Sequence, residues 1–118
     1  MLRTPREFAA LQQSSKSKVH PLLVARFAPN QIERTRFGFS TGRRLGGAVT
    51  RNRVRRRLRE AVRALGPEIS PGWDVLIVAR PPSATATYAA LSEALKRVLR
   101  SGQLLRDPQE RDDPGDER

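Results

Sequence analysis

The most informative part of the chain is a run of thirteen residues in which seven side chains are arginine, Arg51-Asn52-Arg53-Val54-Arg55-Arg56-Arg57-Leu58-Arg59-Glu60-Ala61-Val62-Arg63. An α-helix turns about 100° per residue, and on such a helix the apolar positions of this region fall within an arc of roughly 100°. These positions are Val54, Leu58, Ala61, Val62 and Leu65. The pattern predicts a helix from about Ala48 to Leu65 with one buried face. The opposite side would carry Asn52, Arg56, Arg59 and Arg63.

The predicted helix carries too much charge of one sign for an ordinary solvated helix. Solvated faces usually mix the two signs, whereas nine arginines and a single acidic residue, Glu60, lie between Arg43 and Arg63. Like charges four residues apart repel by about 0.2–0.5 kcal/mol per pair. A polyanion outside the chain would offset this repulsion. An RNA or DNA backbone fits best, because a guanidinium group binds phosphate oxygens bidentately.

The loop before the helix is both basic and rich in glycine. Gly42, Gly46 and Gly47 surround Arg43 and Arg44. The glycines could form a backbone anion site, or they could serve turn geometry while the two arginines contact phosphate. Their spacing matches neither the P-loop nor the dinucleotide fingerprint, so we favour the second interpretation.

The chain has 118 residues, a length typical of one domain, and its charge is distributed unevenly along the sequence. The net charge is +11, but residues 106–118 carry −3 and the other 105 residues carry 20 basic and 6 acidic side chains, a net +14. We therefore expect a single nucleic-acid-binding domain over 1–105 and a disordered acidic tail over 106–118. Nucleic acid is the expected partner. A membrane surface is the weaker alternative, because the basic helix offers only small aliphatic side chains for insertion.

The residue inventory excludes several kinds of chemistry. There is no cysteine and only one histidine, His20, which removes thiolate chemistry and paired-histidine metal sites. The acidic residues of the body are scattered singly, so no acid/base pair or two-metal nuclease site is expected. We thus predict no catalytic residue and no metal ligand in the protein. The chain also lacks a signal peptide and an apolar run of 18 residues, which favours a cytoplasmic protein.

The segments before the arginine helix read as one helix and two strands. Thr4, Pro5 and Glu7 predict the start of a short helix that ends near Gln13, and residues 14–18 read as a polar connector. Residues 22–27 and 36–41 are strand-like, and Pro29-Asn30 lies in the turn between them. The two segments predict an antiparallel hairpin.

A strand and a helix are predicted after the arginine helix, which ends at Gly66-Pro67. Residues 73–80 form a continuous apolar run typical of a strand buried on both faces, and Trp73 would pack at its start. Thr87 is the predicted cap of a last helix that ends at Gly102. Its inward side chains would be Tyr88, Leu91, Leu95, Val98 and Leu99. The order predicts an α+β fold, a small α/β sandwich with a mostly antiparallel sheet of about four strands and three helices.

The central run resembles the signature of the bacterial ribonuclease P protein subunit. In that family a basic pair, Gly-x-Ala-Val and an Arg-Asn-Arg run follow in the order seen here, in Arg43-Arg44-Leu45-Gly46-Gly47-Ala48-Val49-Thr50-Arg51-Asn52-Arg53-Val54-Arg55-Arg56-Arg57-Leu58-Arg59-Glu60. The flanks agree as well: Arg6-Glu7-Phe8, Phe37-Gly38-Phe39-Ser40 and the strand that begins at Trp73. The similarity covers roughly residues 2–105.

The resemblance implies a small basic protein that binds a large catalytic RNA. The complex removes the 5′ leader from precursor tRNA by hydrolysis, and Mg²⁺ bound mainly by the RNA performs the chemistry. The family fold has a left-handed βαβ crossover around the arginine helix, against the usual right-handed rule. We expect a protein that is monomeric within a 1:1 ribonucleoprotein and binds neither DNA nor membrane.

Two groups of residues follow from the resemblance by matching position. Facing the catalytic RNA would be Arg43, Arg44, Arg51, Asn52, Arg53, Arg55, Arg56 and Arg59, together with Arg63 on the same outward side. In or near the cleft that holds the single-stranded leader would be Phe8, Gln12, Arg36 and Ser40. Phe8 has two interpretations, as a core side chain or as a platform on which a base stacks.

Three positions depart from the family pattern. Gln12 and Ala25 stand where family members often carry an aromatic in the cleft, and Leu105 replaces another near the C-terminal end. Stacking on the leader is therefore expected to be weaker here.

The alternative function is a structural RNA-binding protein such as a small ribosomal component, which would share the charge but not the ordered signature. A stand-alone nuclease is disfavoured by the missing acid/base pair.

Overall fold

The computed structural model describes residues 16–106, which form a four-stranded sheet and two α-helices. The elements in chain order are β1 (Lys16–Val19), β2 (Leu23–Pro29), β3 (Arg36–Ser40), α1 (Ala48–Leu65), β4 (Trp73–Ala79) and α2 (Tyr88–Ser101). Short 3₁₀ turns lie at Arg43–Leu45, Gly66–Glu68 and Pro81–Thr85. The predicted N-terminal helix lies outside the described residues, as does the predicted tail beyond Arg106. The α+β fold and the four-stranded sheet are confirmed.

The strand order is β1-β2-β4-β3, with antiparallel pairs β1/β2 and β2/β4 and a parallel pair β3/β4. The predicted hairpin between residues 22–27 and 36–41 is therefore wrong. Strand β4 lies between these two segments because its centre, Val75 to Ile77, is at most 2% exposed on both faces. A strand that is apolar on both faces belongs in the middle of a sheet.

The predicted connector at residues 14–18 is also corrected, because Lys16–Val19 forms the edge strand β1. Its side chains are mostly exposed and two of them are lysines, which suits an edge strand that must not pair with another molecule. β3, α1 and β4 together form a βαβ unit whose strands are parallel neighbours. The left-handedness that the resemblance implies for this crossover stays a prediction.

Both helices pack on one face of the sheet and close the main core. The buried face of α1 consists of Val54, Leu58, Ala61 and Leu65, as predicted, with Val62 partly buried beside it. The sheet contributes Leu23, Ala25, Phe27, Phe37, Val75, Ile77 and Ala79. The ring of Trp73 meets Phe27 edge to face with centroids 5.8 Å apart, which fits its predicted packing role.

Helix α2 contributes Leu91, Leu95, Val98 and Leu99 to the core, as predicted, but its first residue does not join them. Tyr88 is 41% exposed, so its predicted inward position is wrong. Helical side chains tilt toward the N-terminus of their helix, and the side chain of the first residue therefore points past the end of the packed region. The predicted cap is confirmed, since the Thr87 hydroxyl accepts a hydrogen bond from the Ala90 amide at 3.0 Å.

Candidate nucleic-acid interface

The outward side of α1 is a row of exposed arginines. The side chains of Arg56 and Arg59 are exposed and make no hydrogen bond or ion pair within residues 16–106. Arg63 forms an ion pair with Glu60, one turn earlier on the same side, and both side chains remain more than half exposed. A solvent-screened pair of this kind contributes little and exchanges partners easily. The row is therefore available to an external anion.

The helix tolerates this row because its charged and buried faces are separate. Val54, Leu58, Ala61 and Leu65 of the apolar stripe are at most 4% exposed, so they anchor α1 to the sheet through apolar burial rather than charge pairing. The first turn contains no acidic residue, and the N-cap Gly47 provides no side-chain hydrogen bond. Nothing at this end of α1 in the described chain neutralises the partial positive charge that a helix N-terminus carries.

The loop before α1 places two more arginines beside the same end of the helix. Arg43 and Arg44 lie on the 3₁₀ turn Arg43–Leu45 and are exposed, and their side chains lack a hydrogen-bond or ion-pair partner in the described chain. Leu45 anchors the turn at 5% exposure. Gly46 then takes φ = +129°, a conformation that side-chain-bearing residues rarely adopt. Glycine at this position therefore serves the turn geometry, which is the interpretation that the sequence analysis favoured.

The arginines on the flanks of α1 are held by neighbouring parts of the protein. Arg55 donates to the Thr41 hydroxyl and, at 2.8 Å, to Oδ1 of Asn52. Arg53 donates to the Ala84 carbonyl at 3.0 Å, and Arg57 to the Ala86 carbonyl at 2.8 Å. These bonds position the guanidinium groups along the helix, and each group has five N–H donors, so most donors are left for other acceptors.

Two of the sequence-predicted arginines each have one buried guanidinium nitrogen. The side chains of Arg51 and Arg53 each bury their Nε atom without a hydrogen-bond partner in residues 16–106. The exposed Asn52 lies between them and accepts the hydrogen bond from Arg55. Arg57 belongs to the same basic surface, although it was not among the residues predicted to face RNA. A lone arginine between the buried stripe and the outward row gives no sequence signal of its own.

Two residues of the second predicted group, Arg36 and Ser40, lie on the other face of the sheet. Arg36 and Ser40 are four residues apart on β3, so their side chains share the face opposite α1 and α2. Arg36 binds Asp74 through two hydrogen bonds, Nε to Oδ1 at 2.8 Å and Nη2 to Oδ2 at 2.7 Å. Asn30 donates to the same Oδ1 at 3.0 Å.

The Asp74 carboxylate is held in its charged form by this network. Burial alone raises the pKa of Asp74, but the hydrogen bonds from Arg36 and Asn30 and the positive charge of Arg36 outweigh it. The pKa therefore lies below its usual value. The guanidinium of Arg36 is fixed in one orientation on this face as a result.

Four further positions were assigned to the cleft or noted as departures from the family pattern. Ala25 is fully buried in the core under the helices. Arg36 and Ser40 point to the opposite face, because they alternate along β3 with the core residue Phe37. Leu105 bridges to Ile69 and packs against the main core. Phe8 and Gln12 lie outside the described residues.

A cavity of about 520 Å³ lies at the common end of β3 and β4, beside the leader residues predicted from the resemblance. Ser40 borders it, as do Arg44 of the basic loop and Arg80, while Leu45, Val78 and Pro82 line it with apolar surface. The cavity thus connects the sheet face of Ser40 with the basic loop.

Across residues 16–106, no group of three or more His, Cys, Asp or Glu side chains could hold a metal ion. No described helix is both long and apolar enough to cross a membrane.

Comparison with known proteins gives this arrangement a family. The family model described as Ribonuclease P matches residues 1–102. The ribonuclease P protein component of Roseiflexus sp. is 42% identical over 105 residues, which cover 88% of this chain and 86% of the relative. That of Herpetosiphon aurantiacus is 40% identical over 106 residues, 90% of this chain and 86% of the relative.

Solved structures agree in fold. The RNase P protein of Staphylococcus aureus superposes with a TM-score of 0.83 at 24% identity, covering 89% of this chain and 96% of that protein. The RNase P protein of Thermotoga maritima gives a TM-score of 0.78 at 26% identity, covering 82% and 94%. With a matching family model and relatives about 40% identical over most of its length, the chain belongs to the ribonuclease P protein family.

Proposed function

We propose that α1 and the loop before it bind the RNA subunit of ribonuclease P, and that the opposite sheet face binds the 5′ leader of precursor tRNA. As a family member, the chain is a subunit of an endoribonuclease that assists tRNA 5′ processing together with an RNA subunit. We assign RNA-subunit contacts to Arg43, Arg44, Arg51, Asn52, Arg53, Arg55, Arg56, Arg59 and Arg63. These residues belong to a single RNA-binding domain, residues 1–105, that acts as a monomer in a 1:1 complex.

The observation that carries this proposal is the row of exposed arginines without protein partners. The guanidinium groups of Arg43, Arg44, Arg56 and Arg59 keep all their donors free within the described chain. An RNA backbone offers phosphate charges at regular intervals, and arginine binds them bidentately. A ribosomal protein could use such a surface too, but family membership separates the two functions in favour of ribonuclease P.

The leader would contact Phe8, Gln12, Arg36 and Ser40. In support of this, the bidentate pair with Asp74 fixes the Arg36 guanidinium on the same face as the exposed Ser40 hydroxyl. A fixed guanidinium loses little side-chain entropy when it stacks on a base or binds a phosphate. The cavity between Ser40 and Arg44 extends this face toward the RNA-binding loop.

Hydrolysis itself we assign to the RNA subunit and to Mg²⁺ bound mainly there. The acidic residues of the described chain lie on separate elements: Glu33, Glu60, Glu68, Asp74 and Glu93. Asp74 is already engaged by Arg36 and Asn30. The protein would contribute binding and charge compensation, which lower the Mg²⁺ concentration that the RNA needs to fold and react.

The test is the salt dependence of binding to ribonuclease P RNA from the same genome. The double substitution Arg56→Ala/Arg59→Ala removes two phosphate contacts, so log Kd against log salt should change slope by about two units. The control Arg97→Ala removes an exposed arginine of α2 that is ion-paired with Glu93 and is not among the residues assigned to RNA contacts. The proposal requires a near-wild-type slope for this control. Equal slopes for the double variant and wild type would place the RNA on another surface.

A further inference from the structure

A second basic pocket lies between α1 and the segment that leads into α2. It has a volume of about 330 Å³ and is bordered by Arg53, Arg57, Thr85, Thr87 and Tyr88. Family resemblance assigned no role to Arg57, Thr85 or Tyr88. The pocket is on the helix side of the sheet, opposite Arg36 and Ser40, and adjoins the outward arginines of α1.

The two arginines of this pocket are fixed side by side. Arg53 and Arg57 are one helical turn apart, and each donates a hydrogen bond to a carbonyl at the end of the 3₁₀ turn before α2, Arg53 to Ala84 and Arg57 to Ala86. No carboxylate of the described chain forms an ion pair with either guanidinium. Two positive charges are therefore held together with several unused N–H donors and no protein anion beside them.

An aromatic ring completes the pocket. Tyr88 is 41% exposed, although its position in the apolar pattern of α2 predicts burial. It borders the pocket beside the two arginines, and the exposed hydroxyl-bearing residues Thr85 and Thr87 stand next to it. An exposed ring next to guanidinium groups is the combination that binds single-stranded nucleic acid, because the ring stacks on a base while the arginines hold the phosphate.

We propose that this pocket binds one unpaired nucleotide of the RNA subunit, with its base stacked on Tyr88 and its phosphate between Arg53 and Arg57. The inference rests on the proposed function of α1. The occupant is the RNA subunit rather than the leader, because the pocket continues the outward surface of α1. The described residues assigned to the leader, Arg36 and Ser40, lie on the opposite face of the sheet. The RNA footprint then extends from the outward arginines around the flank of α1 to the start of α2.

The experiment compares two substitutions of Tyr88 in binding to ribonuclease P RNA. Tyr88→Leu keeps an apolar, helix-forming side chain but removes the ring, whereas Tyr88→Phe keeps the ring. Loss of one stacked base predicts about a tenfold rise in Kd for Tyr88→Leu, while Tyr88→Phe should stay within about twofold of wild type. Equal Kd values for wild type and Tyr88→Leu would overturn the proposal. So would equal weakening by the two substitutions, which would mean that the hydroxyl and not the ring matters.

A second variant and a crosslink keep the result interpretable. Arg57→Ala should raise Kd and reduce the salt slope by about one unit, against the control Arg97→Ala. Ultraviolet crosslinking of the complex, read by mass spectrometry, should give an RNA adduct on Tyr88. If Arg56→Ala/Arg59→Ala weakens binding but the Tyr88 and Arg57 variants do not, this pocket is refuted while the proposed function stands. If none of these variants weakens binding to the RNA, the proposed function is refuted and the proposed pocket with it.

Discussion

At the scale of single residues, the ion pair between Asp74 and Arg36 makes a pH-dependent contribution to stability. The pKa of folded Asp74 lies below its usual value because Arg36 and Asn30 outweigh the effect of burial. A carboxylate of this kind stabilises the fold fully above its unfolded pKa, about 3.9. The contribution is lost as pH falls through the lower, folded pKa.

We therefore expect Asp74→Asn to lower the free energy of unfolding at pH 6, and we expect this deficit to shrink as pH falls below about 3.9. Urea unfolding at a series of pH values measures this difference. Glu93→Gln removes a carboxylate from an exposed ion pair with Arg97 and controls for the loss of one negative charge. A deficit for Asp74→Asn that is the same at pH 6 and pH 2 would mean that the charged form of Asp74 contributes nothing.

Individual residues show how far periodicity predicts a site. The buried stripe of α1 and the outward positions of Arg56 and Arg59 followed from 3.6-residue spacing, because both depend only on the helix itself. The position of Arg57 and the exposure of Tyr88 did not follow. Arg57 is held by the carbonyl of Ala86, 29 residues later in the chain, and Tyr88 is exposed because its helix begins there. Both depend on how two elements meet, which no local pattern contains.

At the scale of elements, helix and strand positions were more predictable than their pairing. The bounds of α1 and the cap of α2 were predicted because glycine, proline and threonine mark helix ends locally. The hairpin was wrong because a short turn favours pairing of consecutive strands, and here burial of β4 on both faces outweighed that preference. β1 was missed because its polar sequence, Lys16 to Val19, carries no apolar alternation, and its strand form depends on pairing with β2.

A charged capping residue at the start of α1 should increase the stability of the protein and weaken its binding to RNA. Gly47 is the N-cap, its backbone is compatible with any residue, and a Cβ there would meet nothing within 4 Å. Gly47→Asp adds a capping acceptor and a negative charge at the helix N-terminus, so we expect it to raise the free energy of unfolding by about 0.3–1 kcal/mol. The same charge should repel RNA phosphates and raise Kd several-fold at low salt.

The matched substitution is Gly47→Ser, which caps without adding charge. It should give a smaller gain in stability and leave the Kd for RNA close to that of wild type. Urea unfolding and RNA titration at two salt concentrations measure both quantities. If Gly47→Asp binds RNA as tightly as Gly47→Ser at low salt, the start of α1 lies away from the phosphates.

At the scale of the whole molecule, charge is the property that links the protein to its RNA. The body of the chain, residues 1–105, carries a net +14, and the exposed arginines on α1 and the preceding loop are concentrated at one surface. The protein thus places positive charge where the proposed RNA partner has none of its own. In this role it competes with the counterions that otherwise condense on the RNA backbone.

The division of work between protein and RNA predicts how cleavage depends on Mg²⁺. Protein without RNA should not release the 5′ leader from precursor tRNA at any Mg²⁺ concentration, since no pair of its described acidic residues is arranged for hydrolysis. RNA with protein should cleave, and the gain over RNA alone should be largest at low Mg²⁺, where protein charge replaces missing counterions. Arg56→Ala/Arg59→Ala should shift the Mg²⁺ dependence toward that of RNA alone, whereas Arg97→Ala should not. Single-turnover cleavage rates across a Mg²⁺ series measure all five cases: protein alone, RNA alone, and RNA with the wild-type, doubly substituted or control protein. A correct mature 5′ end produced by RNA-free protein would place the chemistry in the protein after all.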